Sequence, residues 1–563
     1  MASLYAKQVA GKTYWYLREM ARVDGKPKMV SERYRGSAAD IAAAMDARDA
    51  QIMPERTRHL AFGDVAAAWA MLQRLDLVGI VDGLVGPRRS DAGASVGTYL
   101  ALATLNRVTD PCSKLAFADW WATTAGDRFA KIGARVLDHR RFWNAMRAVT
   151  TVELAEIERA VSARMIEEFG VDTSALALDM TNFATYLDST NPHAPVAQRG
   201  KAKQKRADLR LVGLGLIVTR DGGIPLLSHT YPGNKPDVTQ FTAMIDELRT
   251  RHTRLGGDPA AITVVFDAGQ NSVANFAHLT AAELRYVGSV PPSDCPDLLA
   301  LPARHRRLVD TDRFEQLTAL DTRRQVYGQD RRVVLTHSPS LHTAQDRGFT
   351  QTLAKAQARL GVLADTLARG RTRRPADKVT AEIDQIVKDP WIKRVLTWQL
   401  TGDTPAQLRL AWQIDEQART ALAEEIFGKR VLVTDRDDWP VAEVVAAYRS
   451  QSEAEFGFRQ LKDPHVVSFS PMHHWTEHNI RVHTQTCVFA LMIAHLMRRQ
   501  TEQAGLHLSV RAILDHLAGI GETVLIYPST GGRPKARRML TETSPIQQHL
   551  MDIFDLHRWK PRS

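Results

Sequence analysis

The sequence predicts an α/β protein built on a mixed sheet, and three observations carry that reading. From about Ala175 onward the apolar pattern gives the order strand, strand, strand, helix, strand, helix, strand. Two of the predicted strands end on or beside an aspartate, Asp179 and Asp267. A later strand, "KRVLVTD", is followed by a helical stretch, "YRSQSEAEFGFRQLKD", that mixes acid, base and aromatic side chains.

Taken in order, the N-terminal "SLYAKQVAGKTYWYLREMARVDGKPKMVSERYRG" alternates polar and apolar residues around glycine-containing breaks. Short antiparallel strands have that pattern, so residues 1–60 are assigned to a β-hairpin module and its linker. Residues 61–170 carry apolar side chains at three- and four-residue spacing and form a helical N-terminal domain. "ALALDM" is a short buried strand, and "LRLVGLGLIVTRDGGIPLLSHTY" is two strands joined at Asp221-Gly222-Gly223, where glycine supplies positive φ. Pro236 and Asp237 open the next helix, "AITVVFDAG" is a β-branched strand, and a helix and the strand "LRYVGSV" follow. This is the order of an RNase H-like core, and parallel-sheet folds with an added hairpin share it. The core's first part spans 171–290, an insertion spans 291–428, its last part spans 429–500, and 501–563 forms a helical, basic tail. Trp391, Trp398 and Trp412 of the insertion are read as core or interface residues.

The chain carries 74 Lys and Arg against 63 Asp and Glu over 563 residues, a net charge of +11. The clusters "RGKAKQKR", "RGRTRR" and "GGRPKARR" concentrate the excess, which favours a polyanionic partner over solvated loops. Cys112, Cys295 and Cys487 have neither the spacing of a zinc site nor that of a disulfide framework. No signal peptide or membrane-length apolar run is read; "CVFALMIAHLM" is a buried helix, and the expected location is cytoplasmic and nucleoid-associated.

Aspartates at the ends of strands sit where an α/β sheet offers ligand sites, and two of them can share a hard cation such as Mg²⁺. The same residues also serve as helix caps and turn closers. Residues seven apart on a helix differ by about 20° in direction and about 10.5 Å in height. Tyr448, Glu455 and Lys462 have that spacing, with Gln451, Ser452 and Arg459 on the same stripe and Phe458 and Leu461 flanking it. Glu453, about 200° from Glu455, points elsewhere. Thr181 shares a strand face with Asp179, and His473 and His474 lack a third ligand-like partner.

"LDMTNF", the "RGKAKQKRADLRLVGLGL" segment, "VVFDAGQNS" and the Tyr448-to-Lys462 set together resemble the DDE transposases of bacterial insertion sequences. They are most similar to the insertion sequence four superfamily and its relatives, over roughly Val171 to Leu496. The resemblance implies an RNase H-like core with an inserted domain between the second aspartate and the glutamate. It implies Asp179, Asp267 and Glu455 as the catalytic, metal-binding triad holding two Mg²⁺ ions, with Mn²⁺ a substitute. Tyr448 and Lys462 take the positions that contact DNA near the cleaved end. Arg449, Arg459, Arg199, Lys203, Lys205 and Arg206 are further DNA-binding candidates. The chain departs from the family's third motif at one place, where Gln451 stands for the signature arginine, with Arg449 or Arg459 near enough to replace its charge. The implied activity is hydrolysis of a phosphodiester at the element ends followed by strand transfer into target double-stranded DNA, by a homodimer in the active complex, with the helical domain 61–170 and the basic clusters binding the terminal inverted repeats. A silent DNA-binding regulator derived from a transposase, and a nuclease of the same core, remain the alternatives.

Overall fold

The structure is a computed structural model that describes residues 2–23, 26–87, 93–200, 208–254, 258–371, 373–528 and 534–561. The chain divides into two compact units, and both are discontinuous in sequence. The smaller gathers residues 1–71, 114–139 and 500–563; the larger holds 72–113 and 140–499.

In the smaller unit the expected hairpin is a three-stranded antiparallel sheet, Ala2–Val9, Lys12–Val23 and Lys26–Gly36. The breaks at Ala10 and Gly11, both with positive φ, make its first turn. A helix, Ala38–Ile52, follows, started by a capping box between Ser37 and Asp40. A second small sheet joins Arg56–Ala61 to the C-terminal strands Gly521–Ile526 and Ala536–Leu540, so the two ends of the chain share one sheet. Glu522 on its middle strand is fully buried, and Arg128 and Arg538 both pair with it.

The larger unit is organised by a ten-stranded mixed sheet. The order of elements read from the sequence is the order found: strands Ala175–Thr185, Arg210–Thr219 and Pro225–Pro232, helix Phe241–Arg254, strand Thr263–Phe266, helix Val273–Ala281 and strand Arg285–Val290. Strand Thr263–Phe266 pairs parallel with both Ala175–Thr185 and Arg285–Val290, whereas the first three strands meander antiparallel. Every residue of Arg210–Thr219 is buried, as a strand covered on both faces requires. Its glycines are small for a packing reason: a Cβ on Gly213 would lie 2.3 Å from the Tyr231 ring.

Two strands of the expected insertion, Thr318–Val326 and Gln329–His337, extend this sheet, pairing next to Lys429–Thr434. The rest of that region has its own core around Leu360, Val379, Ile383 and Phe427, with Trp391, Trp398 and Trp412 packed against it. The apolar stretch near the end belongs to the long helix Glu477–Gln503. Among the described residues this helix alone is long and apolar enough to cross a membrane by length and composition, and 94% of its most apolar window is buried inside the protein.

The Asp-Gly-Gly turn forms as expected, with Gly222 at φ +89° and Gly223 at φ +64°. At Gly223 a side chain faces a second obstacle, since its Cβ would sit 2.9 Å from Glu453. Gly223→Ala is therefore expected to destabilise the protein by more than about 1 kcal/mol in denaturant titrations, the cost of forcing a non-glycine residue into positive φ against a packed neighbour.

Candidate active site

The parallel pairing of Ala175–Thr185 with Thr263–Phe266 runs through Ala175 opposite Thr263, Leu176 opposite Val264 and Ala177 opposite Val265. Asp179 and Asp267 each stand two residues beyond the last of these pairs, so they lie at the same level on adjacent strands. Asp267 follows the end of its strand as expected, whereas Asp179 lies inside its own, which runs on to Thr185 and still pairs Asp179 with Leu216 because the neighbouring antiparallel strand continues alongside it. Asp267 is exposed, and its Oδ1 accepts from the Gly269 backbone N–H at 3.0 Å, capping a single 3₁₀ turn. Asp179 is half-buried, with Oδ1 2.7 Å from the Met180 backbone N–H. Burial and the nearby Asp237 push the Tyr231 phenol pKa up, and the charge of Asp179 adds to that effect. Tyr231 is thus held as a neutral donor to Asp237, at 2.7 Å.

The stretch from Tyr448 to Lys462 is two helices rather than the single one expected, Val441–Arg449 and Gln451–Lys462, meeting at Ser450. The seven-residue spacing from Tyr448 to Glu455 therefore spans a break, although both side chains still line one cleft. The second helix lies on strand Ala175–Thr185. At its start Gln451 Nε2 donates to the Leu178 carbonyl at 2.8 Å, and at its end Lys462 Nζ donates to Thr181 Oγ1 at 2.7 Å. Glu455, one turn after Gln451, is exposed. Glu453 turns the other way and accepts from Arg498 Nη2 at 2.6 Å, in an ion pair whose arginine is only 12% exposed. Gly457 faces Leu491 of the long helix, where a Cβ would come within 3.2 Å.

A cleft of about 660 Å³ brings Asp267 and Glu455 together with Tyr448, Arg449, Arg430 and Gln451. Asp179 is not among its lining residues. Arg430 lies 5.8 Å from the centroid of the Tyr448 ring, and Arg449 lies over Phe314 at 4.5 Å. Burial and the neighbouring Arg430 lower the pKa of Arg449. Gln451 is buried, and its Oε1 has no hydrogen-bond partner.

The other candidates lie in different settings. Lys462 is half-buried, donating to Thr181 and lying 5.5 Å from the Phe183 ring. Arg459 is exposed beside Phe456, at 5.7 Å. Arg199 is exposed on the two-residue strand Gln198–Arg199, opposite Arg210. Lys203, Lys205 and Arg206 lie outside the described residues. His474 is buried against His483, with ring centroids 5.2 Å apart.

Arg430 is the cleft residue that the sequence reading passed over. It is the exposed residue of strand Lys429–Thr434, just before the buried run "VLVT", and pairs with Thr336 across the sheet; the basic pair Lys429-Arg430 opening that run was its available signal.

The donors offered to a metal are carboxylate and carboxamide oxygens, the hard ligands that Mg²⁺ takes. Among the described residues no three of His, Cys, Asp or Glu stand close enough to enclose an ion by themselves. One or two carboxylates, with waters and substrate phosphates completing the shell, is how Mg²⁺ is commonly held, so this donor set fits it.

Neither known protein families nor curated proteins give a match to the chain. Among solved structures, a piggyBac transposase synaptic complex with hairpin DNA aligns over 80% of this chain and 79% of its own, at 10% identity and a TM-score of 0.38. The cleft, not that likeness, carries the functional reading.

The two glutamates, two residues apart on one helix, separate by a stability measurement. Glu453→Gln removes a charged partner from part-buried Arg498 and is expected to cost roughly 1–3 kcal/mol, by the usual worth of a hydrogen bond to a charged group. Glu455→Gln, at an exposed position, should change stability by less than about 0.5 kcal/mol. Equal losses in the two variants would contradict the opposed orientations.

Proposed function

We propose that the protein is a DNA transposase of the DDE class, with an RNase H-like core of the kind found in the insertion sequence four superfamily. The observation that carries this reading is the cleft in which Asp267 and Glu455 converge beside Arg430, Arg449 and Tyr448. Acids alone would repel a nucleic-acid backbone. Guanidinium groups beside them favour a bound phosphate and leave the acids next to it.

In this reading Asp267 and Glu455 hold Mg²⁺, and Asp179, at the same level on the adjacent strand, completes the set. When bound, the two ions activate water and stabilise the leaving oxygen of a phosphodiester, and Mn²⁺ substitutes for them. The chain's own contribution is positional. Arg430 and Arg449 draw the phosphate into the cleft, and Tyr448 supplies a phenol at its wall. Gln451 fixes the glutamate-bearing helix to the strand that carries Asp179. No covalent enzyme intermediate is needed: water cuts at the element end, and the freed 3′-hydroxyl then attacks target DNA. Pairing two element ends calls for a homodimer in the active complex, and bacterial cytoplasm is the setting of such elements.

Asp179→Asn, Asp267→Asn and Glu455→Gln are each expected to abolish cleavage of a terminal DNA fragment while a gel-shift assay still detects binding. Full cleavage by any one variant removes that residue from the triad. Ca²⁺ in place of Mg²⁺ should support binding with little cutting.

A further inference from the structure

The N-terminal three-stranded sheet carries a surface that the cleft does not use. Its cross-strand pairs set Tyr5 opposite Tyr16, Lys7 opposite Tyr14, Tyr16 opposite Tyr34 and Arg18 opposite Glu32. Directly opposed residues share a face, so Tyr5, Tyr14, Tyr16 and Tyr34 stand together with Lys7 and Arg18. Side-chain contacts agree with the register. Tyr34 meets Tyr14 and Tyr16 at centroid distances of 5.9 and 5.4 Å, Arg18 lies 3.6 Å over Tyr5, and Lys7 lies 5.9 Å from the Tyr16 ring.

This cluster is not a core. Tyr34 is 58% exposed and Tyr5 38% exposed, values that a packed aromatic face does not show. Four tyrosines on one face of a small sheet are more apolar surface than solubility asks for, and exposed patches of that kind mark interaction sites. The surrounding charge selects the partner. Residues 2–36 hold eight Lys and Arg against three Asp and Glu. The phenols and Lys7 are groups that donate to phosphate oxygens, whereas Arg18 is paired with Glu32 at 3.1 Å.

We propose that this face binds duplex DNA in the major groove. Single strands need aromatic rings that lie open to successive bases. Here Tyr34 is tilted at 48° and 62° to Tyr14 and Tyr16, so the rings do not form a parallel stacking platform, and the guanidinium of Arg18 covers Tyr5. Three strands span two spacings of about 4.8 Å, which fits a major groove about 12 Å wide. The site belongs to the smaller unit and does not depend on the carboxylate cleft.

The test measures binding of the full chain to a short labelled duplex of random sequence, with chelator present so that no cutting occurs, at several salt concentrations. Lys7→Ala is expected to lower the salt slope by about 1, the signature of one lost phosphate contact. Tyr34→Ala should weaken binding about fivefold or more, and Leu4→Ala, on the opposite face, should leave affinity and slope unchanged. Circular dichroism on each variant checks that the sheet is intact, and Lys7→Ala, at an exposed position, keeps the test decisive if Tyr34→Ala unfolds it. Parental affinity and slope in Lys7→Ala, or tighter binding of a single strand than of the duplex, overturns the proposal. Loss of cleavage in the carboxylate variants with this binding retained leaves it standing. Conversely, failure of the sheet variants to affect binding leaves the cleft reading untouched.

Discussion

The arrangement of the cleft depends on how one helix is held down. Gln451–Lys462 lies on strand Ala175–Thr185 through a hydrogen bond near each end, Gln451 to the Leu178 carbonyl and Lys462 to Thr181. On its far side Glu453 pairs with Arg498, and Gly457 permits close approach of Leu491 on the long buried helix. Four contacts from one twelve-residue helix leave it little freedom to roll. Rotation is what matters here, because about 200° separates Glu453 from Glu455. A helix free to turn would interchange the acid committed to structure and the acid offered to the cleft.

The sheet sets the other half of the geometry. Parallel neighbours advance in step, so equal offsets beyond the last paired residues leave Asp179 and Asp267 at one level, Asp267 just past its strand and Asp179 still paired with Leu216 inside its own. An antiparallel partner would have sent one of them to the opposite edge. Strand Lys429–Thr434 runs antiparallel to Arg285–Val290 and brings Arg430 to the cleft from further across the same sheet. The change from meander to parallel pairing at Thr263–Phe266 is thus what sets the two aspartates level with one another.

The sequence made much of this legible, and its failures have physical causes. A short apolar run marked Ala175–Met180, the first part of strand Ala175–Thr185, a β-branched run marked Thr263–Phe266, and Asp221-Gly222-Gly223 marked its turn, because local sterics decide these features. Opposed directions for Glu453 and Glu455 followed from helix geometry and agree with the Arg498 pair. The break at Ser450 was not legible, since serine carries no strong helix-breaking signal and the residues on both sides favour helix. The hydrogen bond from Lys462 to Thr181 was not legible for a related reason: spacing gives direction around a helix, but not whether a strand or solvent lies there. Strands Thr318–Val326 and Gln329–His337 were assigned to an insertion because their partner, Lys429–Thr434, lies about a hundred residues away, and sequence periodicity carries no information on long-range pairing.

Gln451 shows how the cleft can depart from the motif it resembles without losing charge. The position is 6% exposed, and its carboxamide donates to a main-chain carbonyl. A guanidinium there would carry a full charge to a buried position against a neutral carbonyl, and burying a charge is costly unless it is paired. A carboxamide meets the carbonyl with one N–H and leaves Oε1 as an uncharged acceptor at the cleft wall. The cationic function then falls to Arg430 and Arg449, which line the same cleft from exposed positions. Neutral anchoring at the buried end of the helix and positive charge at the open rim are separate tasks, and this chain assigns them to separate residues.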